Sequence, residues 1–275
     1  MFPKRTPDSH KGVNGRVMIV GGSIDYHGAP VLSGLGALYS GADLVYLFVP
    51  ETNFEVTRSK YPDFIVRKFP GDSLDMKGIA PLQEFAKSCD VILIGPGLGK
   101  REETTEAILH LVTKLDIPTV LDAEAIQIFH HIKEVPLPQK IVITPHQAEF
   151  EKLTGKDIKS SGSLSSKIAL LRALATDLHL NIVLKGKDDF ITSEDGETVM
   201  NSTGNAGMTV GGTGDVLSGV VASLIAQGAS AFEACQAAAY IVGKTGDTIF
   251  KQKGYCFSAS DVAMELPYVI RETVL

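Results

Sequence analysis

The 275-residue chain has no tryptophan and only three cysteines, Cys89, Cys235 and Cys256. They form no CxxC pair and no even framework. Each reads as a buried small hydrophobe in a reducing compartment. Basic charge is also short: 26 Lys+Arg face 32 Asp+Glu, a formal charge of −6. This excludes a broad electrostatic footprint for nucleic acid. No run reaches the roughly 18 uninterrupted apolar residues of a membrane helix. The most apolar stretch, Val216 to Ala226, stops at Gln227-Gly228. Met1 to His10 carries charge and prolines but no apolar h-region, so no signal peptide is expected and the cytoplasm is the expected compartment. HExxH and Cys/His zinc spacings are absent too.

Glycine is abundant: 27 residues, about 10% against a usual ~7%. They cluster at Gly21-Gly22, at Gly95/Gly97/Gly99, and at Gly204/Gly207/Gly211/Gly212/Gly214. Such clusters let a backbone turn sharply or approach a ligand closely. Between them, short Val/Ile-rich runs alternate with helical patterns. Strands are predicted at Arg16–Val20, Asp43–Val49, Val91–Ile94, Thr119–Leu121, Ile141–Ile143 and Ile182–Leu184. Helices are predicted at Pro30–Ser40, Glu102–Lys114 and Ser166–Leu178, and over most of the chain after Asp215, with a break near Gly254. Continuous apolar strands separated by helices imply a mostly parallel sheet covered on both faces. Phe190–Thr192 and Thr198–Met200 flank Glu194-Asp195-Gly196, a hairpin signal, so part of the sheet is expected to be antiparallel. No composition break or repeat divides residues 1–275, and a single domain is expected.

Two familiar nucleotide signatures fail on inspection. Gly243-Lys244-Thr245 resembles the end of a P-loop, but Ala238 occupies the position that requires glycine. Gly95-Pro96-Gly97-Leu98-Gly99 follows a strand with GxGxG spacing rather than the dinucleotide GxGxxG. The tandem His130-His131 reads as a solvated helix end. The strongest segment is Asn205 to Asp215, ending Gly211-Gly212-Thr213-Gly214-Asp215 and running into an amphipathic helix. Unpaired N–H groups at such a start bind anions. Asp215 there is either an N-cap or a base beside a phosphoryl group, taking the proton of an attacking hydroxyl.

These residues resemble the ribokinase-like enzymes and, more closely, the NAD(P)H-hydrate dehydratases. The likeness extends from Lys11-Gly12 to Ser23 and Gly28-Ala29-Pro30, through Gly95 to Gly99, Leu121-Asp122-Ala-Glu124, and Thr144-Pro-His146-Gln-Ala-Glu149-Phe. It continues through Leu184-Lys185-Gly186 and Gly204-Asn205-Ala-Gly207-Met208 to the Asp215 loop, all in the family's order. Glu124 stands where Asp is frequent and Ala206 where Pro is common. The separate epimerase domain that some members carry on the N-terminal side is not expected.

The resemblance implies a ribokinase-like three-layer α/β sandwich and a repair reaction on hydrated NADH or NADPH. ADP or ATP phosphorylates the ring hydroxyl, phosphate leaves, and the dihydronicotinamide is restored, making the enzyme a carbon–oxygen lyase. Asp215 matches the catalytic aspartate. Gly212 and Gly214 match the anion hole, and Lys185, Gly186, Lys187, Asp188 and Asp189 the nucleotide-binding stretch. Ala29, Gly97 and His146, with Asp215, match the hydrate site. Glu149 and Asp122 are placed to hold Mg²⁺ through water. ADP is the expected donor, and a homo-oligomer, a tetramer in the family pattern, is expected. The alanine-rich Ala229–Tyr240 helix suits either a subunit contact or the core. Two other readings stand beside this one: a small-molecule kinase of the same fold, which would release a stable phosphorylated product, and a nucleotide sensor without turnover.

Overall fold

The computed structural model describes residues 3–130, 140–156 and 163–274. The elements run β1 (Arg16–Val20), α1 (Ala29–Tyr39), β2 (Leu44–Pro50), α2 (Phe54–Arg58), β3 (Ile65–Phe69), α3 (Met76–Ala86), β4 (Val91–Ile94), α4 (Glu102–Val112) and β5 (Thr119–Leu121). They continue with β6 (Ile141–Ile143), α5 (Gln147–Thr154), α6 (Leu164–Leu178), β7 (Leu180–Leu184), β8 (Asp189–Thr192), β9 (Thr198–Asn201), α7 (Thr213–Ala226), α8 (Ala231–Lys253) and α9 (Ala259–Val274). A 3-10 segment, Ala123–His130, follows β5. Its last residue, His130, is exposed; His131 lies outside the described residues.

Among the described residues the strands form one nine-stranded sheet, in the order β3-β2-β1-β4-β5-β6-β7-β8-β9. The pairs from β3 to β7 are parallel, and β7–β8 and β8–β9 are antiparallel. The expected hairpin is therefore present at the end of the sheet. Strand residues alternate between two cores. Val17, Ile19, Val91, Leu93, Val120, Val142 and Val183 pack with α1, α7, α8 and α9. Met18, Val20, Ile92, Ile94, Leu121, Ile141 and Ile182 pack with α3, α4, α5 and α6. Burial on both faces explains why these strands are uniformly apolar rather than alternating. The result is a helix–sheet–helix sandwich. The alanine stretch of α8 belongs to it: Ala234, Ala237, Ala238 and Ala239 are buried within the chain's own core.

The order of strands reverses between β1 and β4. From β1 the chain steps outward to β2 and β3, then returns to β4 and steps the other way. A crevice opens at such a switch point, beyond the carboxyl ends of the strands, and ligands bind there.

Candidate functional site

Five of the parallel strands deliver a residue to this carboxyl edge. Gly21 follows β1, Gly95 follows β4, Asp122 follows β5, Thr144 follows β6 and Lys185 follows β7. At the switch point the glycines allow the strand-end loops to touch. A Cβ on Gly21 would lie 2.5 Å from the carbonyl oxygen of Pro96, and one on Gly95 only 1.8 Å from that of Asp122. Gly97, at φ +71°, has Tyr26 Cβ and Ala29 Cβ where its own Cβ would go, at 2.9 and 3.1 Å. Ala29 and Gly97 are thus brought together, at the start of α1.

Further along the edge, the Lys185 ammonium donates to Asp122 Oδ1 at 3.0 Å. Thr144 Oγ1 donates to the same oxygen at 2.7 Å. Asp122 is only 2% exposed, so it is an enclosed acceptor that fixes where the lysine points. Burial opposes the charge on Lys185, but the carboxylates of Asp122, Glu149 and Asp215 outweigh it and raise its pKa above the usual lysine value.

Helix α7 presents its N-terminus to this pair. The N-cap is Gly212, at φ +99°, and no side chain caps the helix. Asp215 is therefore not the cap; it sits three residues in. Among the described residues its carboxylate accepts no hydrogen bond. Burial first, then the Asp122 carboxylate, push its pKa up to about 8, against the pull of Lys185. The first N–H groups of the helix have no intrahelical acceptor and add a partial positive charge. Gly214 lies in the helix rather than in the loop before it. A Cβ there would stand 3.1 Å from Lys185 Nζ, so the glycine keeps the space between the helix start and the ammonium open.

A cleft of about 660 Å³ begins at Lys185 and Gly214 and extends beneath β8 and α8; Gly186, Lys187, Asp188 and Asp189 line it. Asp189 turns away from the role of a free ligand: it accepts from the Gly186 N–H at 3.0 Å and from Asn201 Nδ2 at 3.2 Å. Those bonds hold the Lys185–Asp189 turn. Across the cleft, Asp247 of α8 receives the Gly204 N–H and the Asn205 side-chain amide, each at 3.0 Å. Gly243 lines the cleft and was missed as a site residue in the sequence, as was Asp247, which supports the Gly204–Asn205 wall from behind. Gly243 belongs to the false P-loop triplet inside α8, where its missing side chain makes room for Thr203, whose Oγ1 would be 2.3 Å from a Cβ.

His146 is the N-cap of α5. Its Nδ1 accepts the Glu149 N–H at 3.2 Å, and Glu149 Oε2 accepts the His146 N–H at 2.8 Å, a reciprocal capping box. A backbone bridge sets His146 beside Lys185. In the neutral ring, an accepting Nδ1 places the proton on Nε2.

A carboxylate thus lies in the first turn of a helix whose start, at Thr213 and Gly214, forms part of the cleft wall. The sandwich that carries it has the ribokinase-like α/β architecture. A family model described as NAD(P)H-hydrate dehydratase matches residues 17–268, and the chain belongs to that family. It is 39% identical over 278 residues to a protein of Nitrosopumilus maritimus named ADP-dependent (S)-NAD(P)H-hydrate dehydratase, covering 98% of this chain and 93% of that one. It is 35% identical over 272 residues to the Bifunctional NAD(P)H-hydrate repair enzyme Nnr of Methanothermobacter thermautotrophicus. The match takes in 98% of this chain but 52% of that protein, so the chain spans about half the length of such bifunctional relatives. Among solved structures, the ADP/ATP-dependent NAD(P)H-hydrate dehydratase of Bacillus subtilis, co-crystallised with ATP/Mg²⁺, superposes with a TM-score of 0.81 at 27% identity, over 98% of this chain and 94% of that one.

Proposed function

We propose that the protein dehydrates hydrated NADH or NADPH at the expense of ADP or ATP. The observation that carries the reading is Asp215: a half-buried carboxylate without a capping role, in the first turn of an anion-binding helix start and within the field of a lysine. The nucleotide occupies the cleft from Lys185 to Gly243. Its terminal phosphoryl lies on the N–H groups of Gly212 and Gly214, beside the Lys185 ammonium. The hydrated ring enters at Ala29, Gly97 and His146, with its hydroxyl toward Asp215.

Asp215 takes the hydroxyl proton as the oxygen attacks phosphorus, and AMP or ADP departs. The ring C–O bond then breaks. The ring nitrogen's lone pair forms a C=N+ bond to that carbon as phosphate leaves with the C–O bonding pair, and loss of the adjacent ring proton to water restores the dihydronicotinamide. Asp122 serves by holding Lys185. Glu149 is the carboxylate open enough to meet a magnesium-bound water, since Asp122 is enclosed by Thr144 and Lys185. When bound, the metal neutralises phosphate charge.

The test is incubation of purified protein with hydrated NADH and ADP or ATP, following the return of dihydronicotinamide absorbance. Accumulation of a stable phosphorylated hydrate would favour the small-molecule kinase reading instead.

A further inference from the structure

We propose that the small cavity between Lys100, the 3-10 segment after β5 and the start of α5 seats the diphosphate of the hydrated dinucleotide, with Lys100 and Lys152 as its cationic ligands. The inference rests on the activity proposed above and says where the rest of that substrate goes. The cavity holds about 130 Å³ and is lined by Lys100, Glu124, His130, His146, Glu149 and Lys152, among others.

Position is the first argument. Lys100 follows Gly99 directly, so the loop that meets Ala29 at Gly97 leads into this cavity. His146 lines it and also sits beside Lys185 across a backbone bridge. A dinucleotide whose ring lies in the switch-point crevice has its phosphates a few bonds away, and this cavity is the concavity adjoining both residues.

Charge is the second. A chain of net charge −6 repels a dianionic substrate unless local cations offset it. Among the described residues, neither Lys100 nor Lys152 has an ion-pair partner. Of the two carboxylates present, Glu149 is already engaged by the His146 N–H. Glu124 is half-buried on the same wall, in the 3-10 segment. His146 adds an Nε2–H donor in the tautomer its capping bond selects. Two lysines and a donor on a concave wall match a diphosphate.

The same chemistry could come from the nucleotide donor, whose diphosphate would then lie here rather than in the larger cleft. The experiment separates the two with the double variant K100A/K152A. The expected result is a KM for hydrated NADPH raised at least about tenfold, from loss of charge-assisted bonds. kcat, ADP affinity by calorimetry and the melting temperature should stay near wild type, the log KM slope against salt should flatten, and K100R/K152R should keep wild-type KM. NADPH binding, followed by its fluorescence, should weaken in parallel, and this readout needs no turnover. Wild-type-like KM and NADPH affinity in the double variant would overturn the assignment. A fall in ADP affinity with unchanged NADPH affinity would overturn it too, giving the cavity to the donor. Wild-type protein that fails to dehydrate the hydrate, yet binds NADPH through these lysines, would end the proposed activity and uphold the seat.

Discussion

In the proposed reaction Asp215 bears the most chemical weight, and its surroundings set what substitution does. Because Gly212 is the cap, Asp215→Asn removes no helix-capping bond. It removes a proton acceptor of the same size. Turnover of the hydrate should fall about 10²- to 10⁴-fold while ADP affinity by calorimetry holds. Turnover within a few-fold of wild type would take the base role away from Asp215. With its pKa pushed up to about 8, the active, ionised form grows as pH rises, so kcat/KM should climb through neutrality toward pH 8. That limb should vanish in the asparagine variant. Stability runs the opposite way. The folded chain keeps a proton that the unfolded chain releases above its ordinary carboxylate pKa. This contribution is complete below pH 4 and lost as pH passes 8. Asp215→Asn should therefore flatten the decline of melting temperature between pH 5 and 8. Gly214→Val calls for a different argument from loop freedom, since Gly214 is helical. Its side chain would meet Lys185 Nζ and fill the space assigned to the phosphoryl group. It should abolish turnover in a protein that still unfolds cooperatively, and near-normal activity would place the anion hole elsewhere.

At the scale of elements, α1 and α7 lie together with their N-termini at the same edge, and this sets Asp215 against the crevice. The approach depends on Gly36 and Gly219. A Cβ on Gly36 would stand 2.3 Å from the Val216 carbonyl oxygen, and one on Gly219 2.0 Å from that of Ser33. Neither neighbour is a flexible side-chain tip. Gly219→Ala should destabilise the fold by about 1–3 kcal/mol or more, measured by denaturant unfolding, and should lower turnover by shifting the helix start. These glycines lie outside the clusters that drew attention in the sequence, because packing glycines leave no local pattern.

The strands were easier to read. Arg16–Val20, Val91–Ile94, Thr119–Leu121 and Ile141–Ile143 stand where the apolar runs placed them, since burial on both faces leaves a continuous signal. β3, Ile-Val-Arg-Lys-Phe, is an edge strand with exposed charges and carries no such run. α3 is obscured by Gly78 and an internal Pro81. The site was legible as motifs, but the partnerships were not. That Asp122 holds Lys185 depends on strand ends adjacent in space and 63 residues apart in sequence; the Asp189 turn and the His146 cap are local, three residues apart, but each is one of several bonds the same residues could make.

For the whole molecule, the nucleotide cleft and the proposed hydrate site share the carboxyl edge of one sheet. A ligand of either site should therefore stabilise the native state by mass action. At 100 times its Kd the gain is about 2.7 kcal/mol, which a thermal melt with millimolar ADP and Mg²⁺ would register. An unchanged melting temperature with both ADP and ATP would count against the nucleotide cleft. The most direct measurement of the central claim couples donor to product. Purified protein, hydrated NADH, ADP and Mg²⁺ are mixed, and dihydronicotinamide absorbance, AMP and phosphate are followed together. The account predicts that all three appear in equal amounts. Loss of ADP with a phosphorylated hydrate and no returning absorbance, or no loss of ADP or ATP at all, would contradict it.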